Sequence, residues 1–497
     1  MKRTLSALLP LLLVPFRVAA AQPQPTPAVA SPPAELPAVL RAKRPAGGEW
    51  YGLYILGKKA GFAFSELRPG EWNGEKVILE RSDVTLRASI EGKSMERSIR
   101  EERYYEPKDG GRLLGFRVVK SGDGGEETLV GAVRRDGISL TRVRPGVPDE
   151  KRVLPVTREV VEDSDAPRMV ALSRKTREGA LLDLEDTLKD KKTTTTIEGE
   201  GTYLVAGVSI PVLRTRTIEE PDQLAVITTL AHDGRALEIK FGDVMTAKAE
   251  GELDAKQLDK VDLFSLTRVV LPSKVPSSVR NPPAKLTWSI GGLPKAFWVE
   301  TARQHYEAAS DGTVHLTIKS RLPSAKAKRP VAAGDDPGLA KALESTLAVE
   351  SDAPAIRETA QRVVGGEADA WKAAKKLNHF VNGHLEKVYG SSSDRATDVL
   401  KARKGDCTEH SLLLTALARA AGIPARRVDG LVYMESTDKV PALYWHEWVE
   451  VFVGEWIAID PTFGQTVADP THIAFGNEGR TDTAGLIGQL KIGLIKP

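Results

Sequence analysis

The chain has 497 residues, with 70 lysines and arginines against 67 aspartates and glutamates, a net charge of +3, and a single cysteine. That length suffices for two or three packed cores. So even a charge balance argues against nucleic acid or an anionic membrane surface as partner, since both select a basic excess. One cysteine cannot close an intramolecular disulfide, so stability must come from the cores.

In chain order, Lys2 and Arg3 precede an apolar run over 5–16, interrupted by Pro10 and Pro15, and Ala19, Ala20 and Ala21 follow. This is the pattern of a secretory signal peptide over 1–21 with a small-residue cleavage site. The run is shorter than the ~20 apolar residues of a membrane span, and no later segment reaches that length. Cleavage after Ala21 removes Lys2, Arg3 and Arg17 and no acid, which leaves the mature chain neutral. Arg17 is atypical beside a cleavage site and keeps an uncleaved N-terminal anchor as the alternative. The expected location is periplasmic or extracellular. Residues 22–48 are rich in proline and alanine and read as an extended tether.

Residues 49–250 read as a β-rich domain whose role the sequence does not assign. Two strands are expected over 50–64 around Gly57-Lys58-Lys59. Short strand-length pieces follow at 77–81, 84–88, 115–119, 193–196, 207–217 and 225–230, separated by turn signals. A short helix is expected over 181–191. His232 lies beside Asp233 and Gly234, in a turn. Residues 251–338 read as a connector with additional strands at 286–290, 296–300 and 313–320, and the stretch 322–338, rich in proline and lysine, marks a boundary.

From 339 to 497 the pattern turns helical. Segments 355–364 and 368–388 have apolar residues at helical spacing, with Trp371, Leu377, Phe380 and Leu385 on a buried stripe. A short helix follows at 396–402. Then comes Lys404-Gly405-Asp406-Cys407-Thr408-Glu409-His410. Asp406 and Glu409 have the spacing of a capping box, Ser411 to Ala421 supply the helix body, and Gly422 and Pro424 end it. Cys407 is therefore predicted at the first helical position. The positive end of the helix dipole favours a thiolate there and Cys407 N–H can serve an oxyanion. Asp406 and Glu409 repel that thiolate, and the net sign is open.

His446 follows in Tyr444-Trp445-His446-Glu447-Trp448, and Asp460 in Asp460-Pro461-Thr462. Cysteine, histidine and a carboxylate are the chemistry of a nucleophile, its base and the group that orients the base. Strands are predicted at 428–434, 444–453 and 456–459. A three-residue turn at Val453-Gly454-Glu455 puts Trp448 opposite Asp460, and Asp460 diagonal to His446 on one face. A two-residue turn puts them on opposite faces. The odd loop is the prediction. His410, at i+3 from Cys407, is a rival base, more in keeping with capping or solvent. Cys407, His410 and His446 could also be read as zinc ligands, but no fourth ligand is evident. No cofactor or metal is expected. His472 reads as structural, and Tyr444 as a candidate second oxyanion donor.

At these residues the chain resembles the transglutaminase-like superfamily, whose core is related to that of papain-type cysteine proteases. The resemblance rests on Gly405-Asp406-Cys407, His446-Glu447-Trp448, Asp460-Pro461-Thr462 and the linking Ala421 to Arg426, and covers 368–475. It implies an α+β fold, with a C-terminal core of helices packed on an antiparallel sheet over 339–497, preceded by the mostly antiparallel β region. It also implies Cys407 as nucleophile, His446 as general base and Asp460 as the orienting acid. The functional expectation is an exported cysteine-dependent acyl-transfer enzyme acting on peptide or carboxamide bonds of a peptide or protein substrate. Hydrolysis is favoured over amine cross-linking. The alternative is a non-catalytic protein that binds an envelope peptide or polymer on the same fold.

Overall fold

The computed structural model describes residues 48–495 except 91, 109–110, 123–124, 135–136, 146, 155–165, 183–189, 221–224, 276–282, 390–392 and 478–481. The expected signal peptide, and the tether up to residue 47, lie outside the described residues. The described chain is mostly strand and divides into two compact units between Asp262 and Leu263.

The first unit is built on one sheet of fourteen strands: β1 (Glu49–Ile55), β2 (Lys58–Trp72), β3 (Glu75–Ile90), β4 (Lys93–Tyr105), β5 (Leu113–Gly122), β6 (Gly125–Arg134), β7 (Gly137–Arg144), β8 (Val147–Leu154), β9 (Arg177–Leu182), β10 (Asp190–Val205), β11 (Val208–Glu220), β12 (Ala225–Ala231), β13 (Ala236–Phe241) and β14 (Met245–Glu250). Helix α1 (Ala166–Ser173) lies between β8 and β9 in sequence, and α2 (Glu252–Ala255) follows β14. The strand order runs from β8 down to β1 and then from β14 down to β9, so every hairpin neighbour in sequence is a neighbour in the sheet. The one long-range pairing is β1 with β14, which joins Trp50 to Glu250 and Ile55 to Met245.

Three local expectations change here. The β1–β2 turn is Leu56-Gly57, both at positive φ (46° and 80°), which is the geometry of a tight two-residue hairpin; the two lysines already belong to β2. The pieces at 77–81 and 84–88 are one strand, β3. The polar Ser82-Asp83 between them resembles a turn, yet Asp83 is paired with Arg81 at 2.5 Å and with Arg100 of β4 at 2.6 Å. The described ends of 181–191 are strand, in β9 and β10, rather than helix. Thr193 and Thr195 face the core there, and a β-branched threonine run suits a strand.

In the second unit, α3 (Leu263–Thr267) and β15 (Val269–Val270) precede β16 (Lys285–Gly291), β17 (Gln304–Ala308) and β18 (Val314–Lys319). Residues 296–300 are not a strand; the third strand of this group lies at β17 instead. Helices α4 (Pro337–Lys341), α5 (Pro354–Val364) and α6 (Ala370–His384) follow. Next come β19 (Glu386–Lys387), α7 (Ala396–Ala402), β20 (Lys404–Gly405), α8 (Cys407–Ala420), β21 (Ala425–Met434), β22 (Ala442–Phe452), β23 (Trp456–Ile459), β24 (Ile473–Asn477) and β25 (Lys491–Ile495). Three sheets result among the described residues. One has the order β15-β22-β21-β24, with β23 also on β22; a second has the order β17-β18-β16-β25; and β19 pairs in parallel with β20.

Helix α8 is buried along its whole described length from Cys407 to Arg419. It packs against β21 and β22 on one side and against α5, α6 and α7 on the other. Leu412, Leu413, Leu414 and Leu417 are each almost fully buried, worth about 2 kcal/mol apiece in transfer free energy. A helix buried on all sides, its polar Thr408, Glu409, His410, Ser411 and Thr415 included, is central to the unit. Leu377 and Leu385 of the expected α6 stripe are buried, while Trp371 and Phe380 are partly buried at its margin.

Gly430 of β21 lies opposite His446 of β22, at a bulge in the pairing with β24. A Cβ there would lie 1.9 Å from Ile473 O and 2.7 Å from Trp448 Cη2. Gly430→Ala is expected to cost about 1–3 kcal/mol by forcing β24 away from β21. Chemical denaturation measures this, and an unchanged midpoint would show that β24 yields without cost.

Candidate active site

The site begins at the cap of α8. Asp406 Oδ1 accepts Thr408 N–H at 3.1 Å, and Glu409 Oε2 accepts Asp406 N–H at 2.9 Å. Glu409 thus folds back over Gly405, where a Cβ would lie 2.3 Å from Glu409 Cβ. Glycine at 405 is what lets the capping box close. Cys407 stands at the first helical position, as the capping pattern predicts.

Strand β22 receives this end of the helix. β15 pairs with Ala442 and Leu443, and β23 pairs with Val449 to Phe452. In the interval between them α8 takes the place of a strand. Ser411 Oγ donates to Glu447 O at 3.0 Å. The first turns of α8, which begin with Cys407, are thereby tied to the residue that follows His446.

The β22–β23 turn has the odd length. Phe452 pairs with Trp456 and Val449 with Ile459. Asp460 then meets His446: His446 Nε2 and Asp460 Oδ2 are 2.7 Å apart, both fully or nearly fully buried. Nε2 being engaged, Nδ1 is the ring nitrogen left to exchange a proton elsewhere. Phe463 stacks on the His446 ring at 4.9 Å. Asp460 Oδ1 accepts the N–H groups of Thr462 at 2.7 Å and Phe463 at 3.0 Å. From α6, Asn382 Nδ2 donates to Pro461 O and Thr462 O, and Asn378 Nδ2 to Gln465 O. Helix α6 therefore grips the loop that carries the carboxylate.

Burial pushes the Asp460 carboxyl up, but the charges and hydrogen bonds of His446 and His472 outweigh it and hold its pKa well below the carboxylate range. For Cys407, burial wins. It pushes the thiol up to about 11, Asp406 pushes the same way, and the Glu447 hydrogen bond only pulls back part of the shift. The open question of sign at the helix N-terminus resolves toward the protonated thiol.

The remaining candidates fall into place around this set. His410 Nδ1 donates to Asp406 O at 2.7 Å, on the cap side, and the residue is fully buried, so it is not at solvent. Desolvation holds the His410 imidazole below its usual pKa. Tyr444 stacks on Phe264 at 4.0 Å and its hydroxyl accepts Arg268 Nη1 at 3.2 Å. Trp445 Nε1 donates to Thr267 O at 3.0 Å. Trp448 packs with Val428, Ala458, Ala468 and Ala474.

One residue of the constellation was read from the sequence as structural and was not placed in the site. His472 Nε2 lies 2.9 Å from the same Asp460 Oδ2, and its Nδ1 lies 3.3 Å from Asp469 Oδ1. The signal was present as a repeat: Asp460-Pro461-Thr462 recurs as Asp469-Pro470-Thr471, directly before His472. Both aspartates accept the amide two residues on, Asp469 from Thr471 at 2.8 Å. His446, Asp460 and His472 offer three ligand atoms within 4.8 Å of one another. Both histidine nitrogens sit on one oxygen at hydrogen-bond distance, however, which leaves no gap between them for an ion with bonds of about 2 Å.

A thiol at a helix start, with an imidazole hydrogen-bonded to a buried carboxylate on the neighbouring strands, defines the class of papain-like cores. Residues 357–461 match the family model of the transglutaminase-like superfamily and carry its core. A stretch of 94 residues, 18% of this chain, is 31% identical to an uncharacterized protein of Haemophilus influenzae. The chain spans about a quarter (25%) of the length of that relative. Among solved structures, a cysteine protease candidate from Cytophaga hutchinsonii aligns over 42% of this chain and 83% of its own, with 18% identity and a TM-score of 0.28. A β-barrel-like protein of unknown function from Brucella abortus aligns over 41% and 94%, with 13% identity and a TM-score of 0.29. A protease candidate from Parabacteroides distasonis aligns over 70% and 69%, with 13% identity and a TM-score of 0.18.

Asp460 and Asp469 both have depressed folded-state pKa values. Their contribution to stability is therefore complete above the unfolded carboxylate value of about 4 and is lost as pH falls below it. Asp460→Asn is expected to lower stability near neutral pH and to flatten its dependence on pH in that acid range. Urea titrations at stepped pH measure the slope, and an equally steep slope in the variant would contradict the assignment.

Proposed function

We propose that the chain is an exported cysteine-dependent acyl-transfer enzyme that acts on a peptide or carboxamide bond, with Cys407 as nucleophile, His446 as general base and then acid, and Asp460 as the orienting carboxylate. One observation carries the reading: His446 Nε2 is tied to the buried Asp460 at 2.7 Å, and Ser411, one turn after Cys407 on α8, donates to the oxygen of Glu447, the residue that follows His446. Transfer of the thiol proton to His446 lets sulfur attack the carbonyl carbon. The carbonyl oxygen takes the electron pair, with Cys407 N–H as one donor to it. Collapse expels the amine, which takes the proton from His446, and leaves a thioester. Water, deprotonated by His446, then releases the acid and restores the thiol. An incoming amine in place of water gives cross-linking. Hydrolysis is the favoured outcome, because water reaches a thioester unless the cleft excludes it.

Support for the exported location comes from the sequence of residues 1–21; no helix among the described residues is long and apolar enough to cross a membrane. The substrate is proposed to be a peptide or protein. The β-rich first unit is proposed to be a binding or scaffold domain, since no catalytic set was recognised in its sequence. The rival reading, a binding protein on the same fold, draws on the burial of Cys407 and its raised thiol pKa.

Incubation of the mature chain with peptide mixtures and an added primary amine separates these readings by mass spectrometry. Hydrolysis yields shortened or deamidated peptides, and cross-linking yields amine-adducted ones. Cys407→Ala is expected to abolish either, and His446→Ala to slow it about a hundredfold or more. Turnover that persists in Cys407→Ala, or peptide retention with no covalent change, would sink the enzyme reading.

A further inference from the structure

His472 lies outside the stretch 357–461 that matches the family, yet it shares Asp460 Oδ2 with His446. Its other nitrogen faces Asp469, through Oδ1 at 3.3 Å and the main-chain oxygen at 3.2 Å. Asp469 is itself saturated. Its Oδ1 accepts Thr471 N–H at 2.8 Å and Thr471 Oγ1 at 2.5 Å, and its Oδ2 accepts Gln465 Nε2 at 2.8 Å. The ring thus has an Asp460 oxygen at one end and Asp469 oxygens at the other.

The backbone around this histidine is clamped from the second sheet. Arg303 donates to His472 O at 2.9 Å and to Asp469 O at 2.5 Å. Gln304 exchanges two hydrogen bonds with the main chain of Ala474, and Trp288 Nε1 donates to Pro470 O at 3.3 Å. The ring itself meets Trp448 edge-on at 5.2 Å and Phe463 at 6.2 Å. His472 is fully buried. A buried polar side chain held from three directions, whose ring reaches the candidate orienting acid, has little freedom to do anything but hold that acid.

We propose that His472 is a positioning residue: Asp469 fixes its ring, and its Nε2–H in turn fixes the Asp460 carboxylate in the orientation that serves His446. The proposal rests on the acyl-transfer reading of Cys407. It extends the Cys407–His446–Asp460 set by two members and gives a function to the β16–β18 sheet, whose Arg303, Gln304 and Trp288 hold the segment in place. Without His472, Asp460 keeps its two backbone donors on Oδ1, but its Oδ2 can turn away from His446. The base is then mispositioned while the rest of the cleft stays intact, so the loss falls on kcat rather than KM.

The test uses cleavage of p-nitrophenyl acetate by the full chain, with a Cys407→Ala control. His472→Ala is expected to lower kcat about tenfold to a hundredfold, with KM within about twofold. His472→Gln, whose amide N–H still reaches toward Asp460, is expected to recover most of that loss. An unchanged kcat in His472→Ala, or a glutamine variant no better than alanine, overturns the proposal. A second measurement needs no substitution. In 15N-histidine-labelled protein, His472 Nε2 is expected to carry the proton that is hydrogen-bonded to Asp460, and a bare Nε2 overturns the proposal even if both variants misfold. Failure of the underlying reading looks different: the unaltered chain then cleaves the ester no faster than Cys407→Ala, and this proposal falls with it.

Discussion

The Asp460 carboxylate is the constraint on which the second unit's arrangement turns. A fully buried charge is costly unless it is matched by hydrogen bonds and by an opposite charge. Asp460 collects four donors: the imidazoles of His446 and His472 on Oδ2 and the amides of Thr462 and Phe463 on Oδ1. Each partner comes from a different place in the chain. His446 comes from β22, the two amides from the loop after β23, and His472 from the segment entering β24. One side chain therefore requires the β22–β23 turn, the 460–465 loop and the β21–β24 bulge to be correct together. The glycine at 430 follows from the same demand, since a side chain there would drive away the strand that delivers His472.

The layers around the carboxylate read as supports for it. Helix α6 reaches the loop through Asn378 and Asn382, and the β16–β18 sheet reaches the 469–474 segment through Arg303, Gln304 and Trp288. The β22–β23 turn is anchored by Glu455, whose carboxylate accepts Ser324 Oγ at 2.6 Å, Ser324 N–H at 2.5 Å and Arg321 Nη2 at 2.7 Å. These bonds hold the Glu455 carboxyl down to about 2. Ser324, in the stretch 322–338 read as a boundary from its prolines and lysines, and Arg321 just before that stretch thus brace the turn that sets the register of Asp460.

Legibility in the sequence followed the range of the interaction. The α8 cap, the start of that helix at Cys407, α7, and the β22–β23 register were readable because each is decided within a few residues: a capping box, a helical period, a loop of odd length. The long β3 was split because Ser82-Asp83 resembles a turn, whereas ion pairs with Arg81 and with Arg100 on the neighbouring strand accommodate the aspartate in the strand. Strand β17 was misplaced for a similar reason. Its identity depends on pairing with β18, not on its own composition. His472 was read only as structural because its place at the site is tertiary: nothing near it in sequence shows that the chain returns to Asp460. The Asp-Pro-Thr repeat was the one local hint, and it specifies a turn rather than a partner.

The protonated state of Cys407 bears on how the proposed chemistry starts. The helix N-terminus and the Glu447 hydrogen bond favour the thiolate, yet burial and Asp406 prevail and hold the thiol near a pKa of about 11. The thiolate is the species that attacks carbonyls, and the raised pKa keeps it a minor form at neutral pH. On the proposed reading, activation coincides with proton transfer to His446 rather than preceding it. The proposed base is then held by the hydrogen-bonded chain that runs from Asp469 through His472 to Asp460. On that reading the proposed nucleophile depends less on its own microenvironment than on the rigidity of the imidazole behind it.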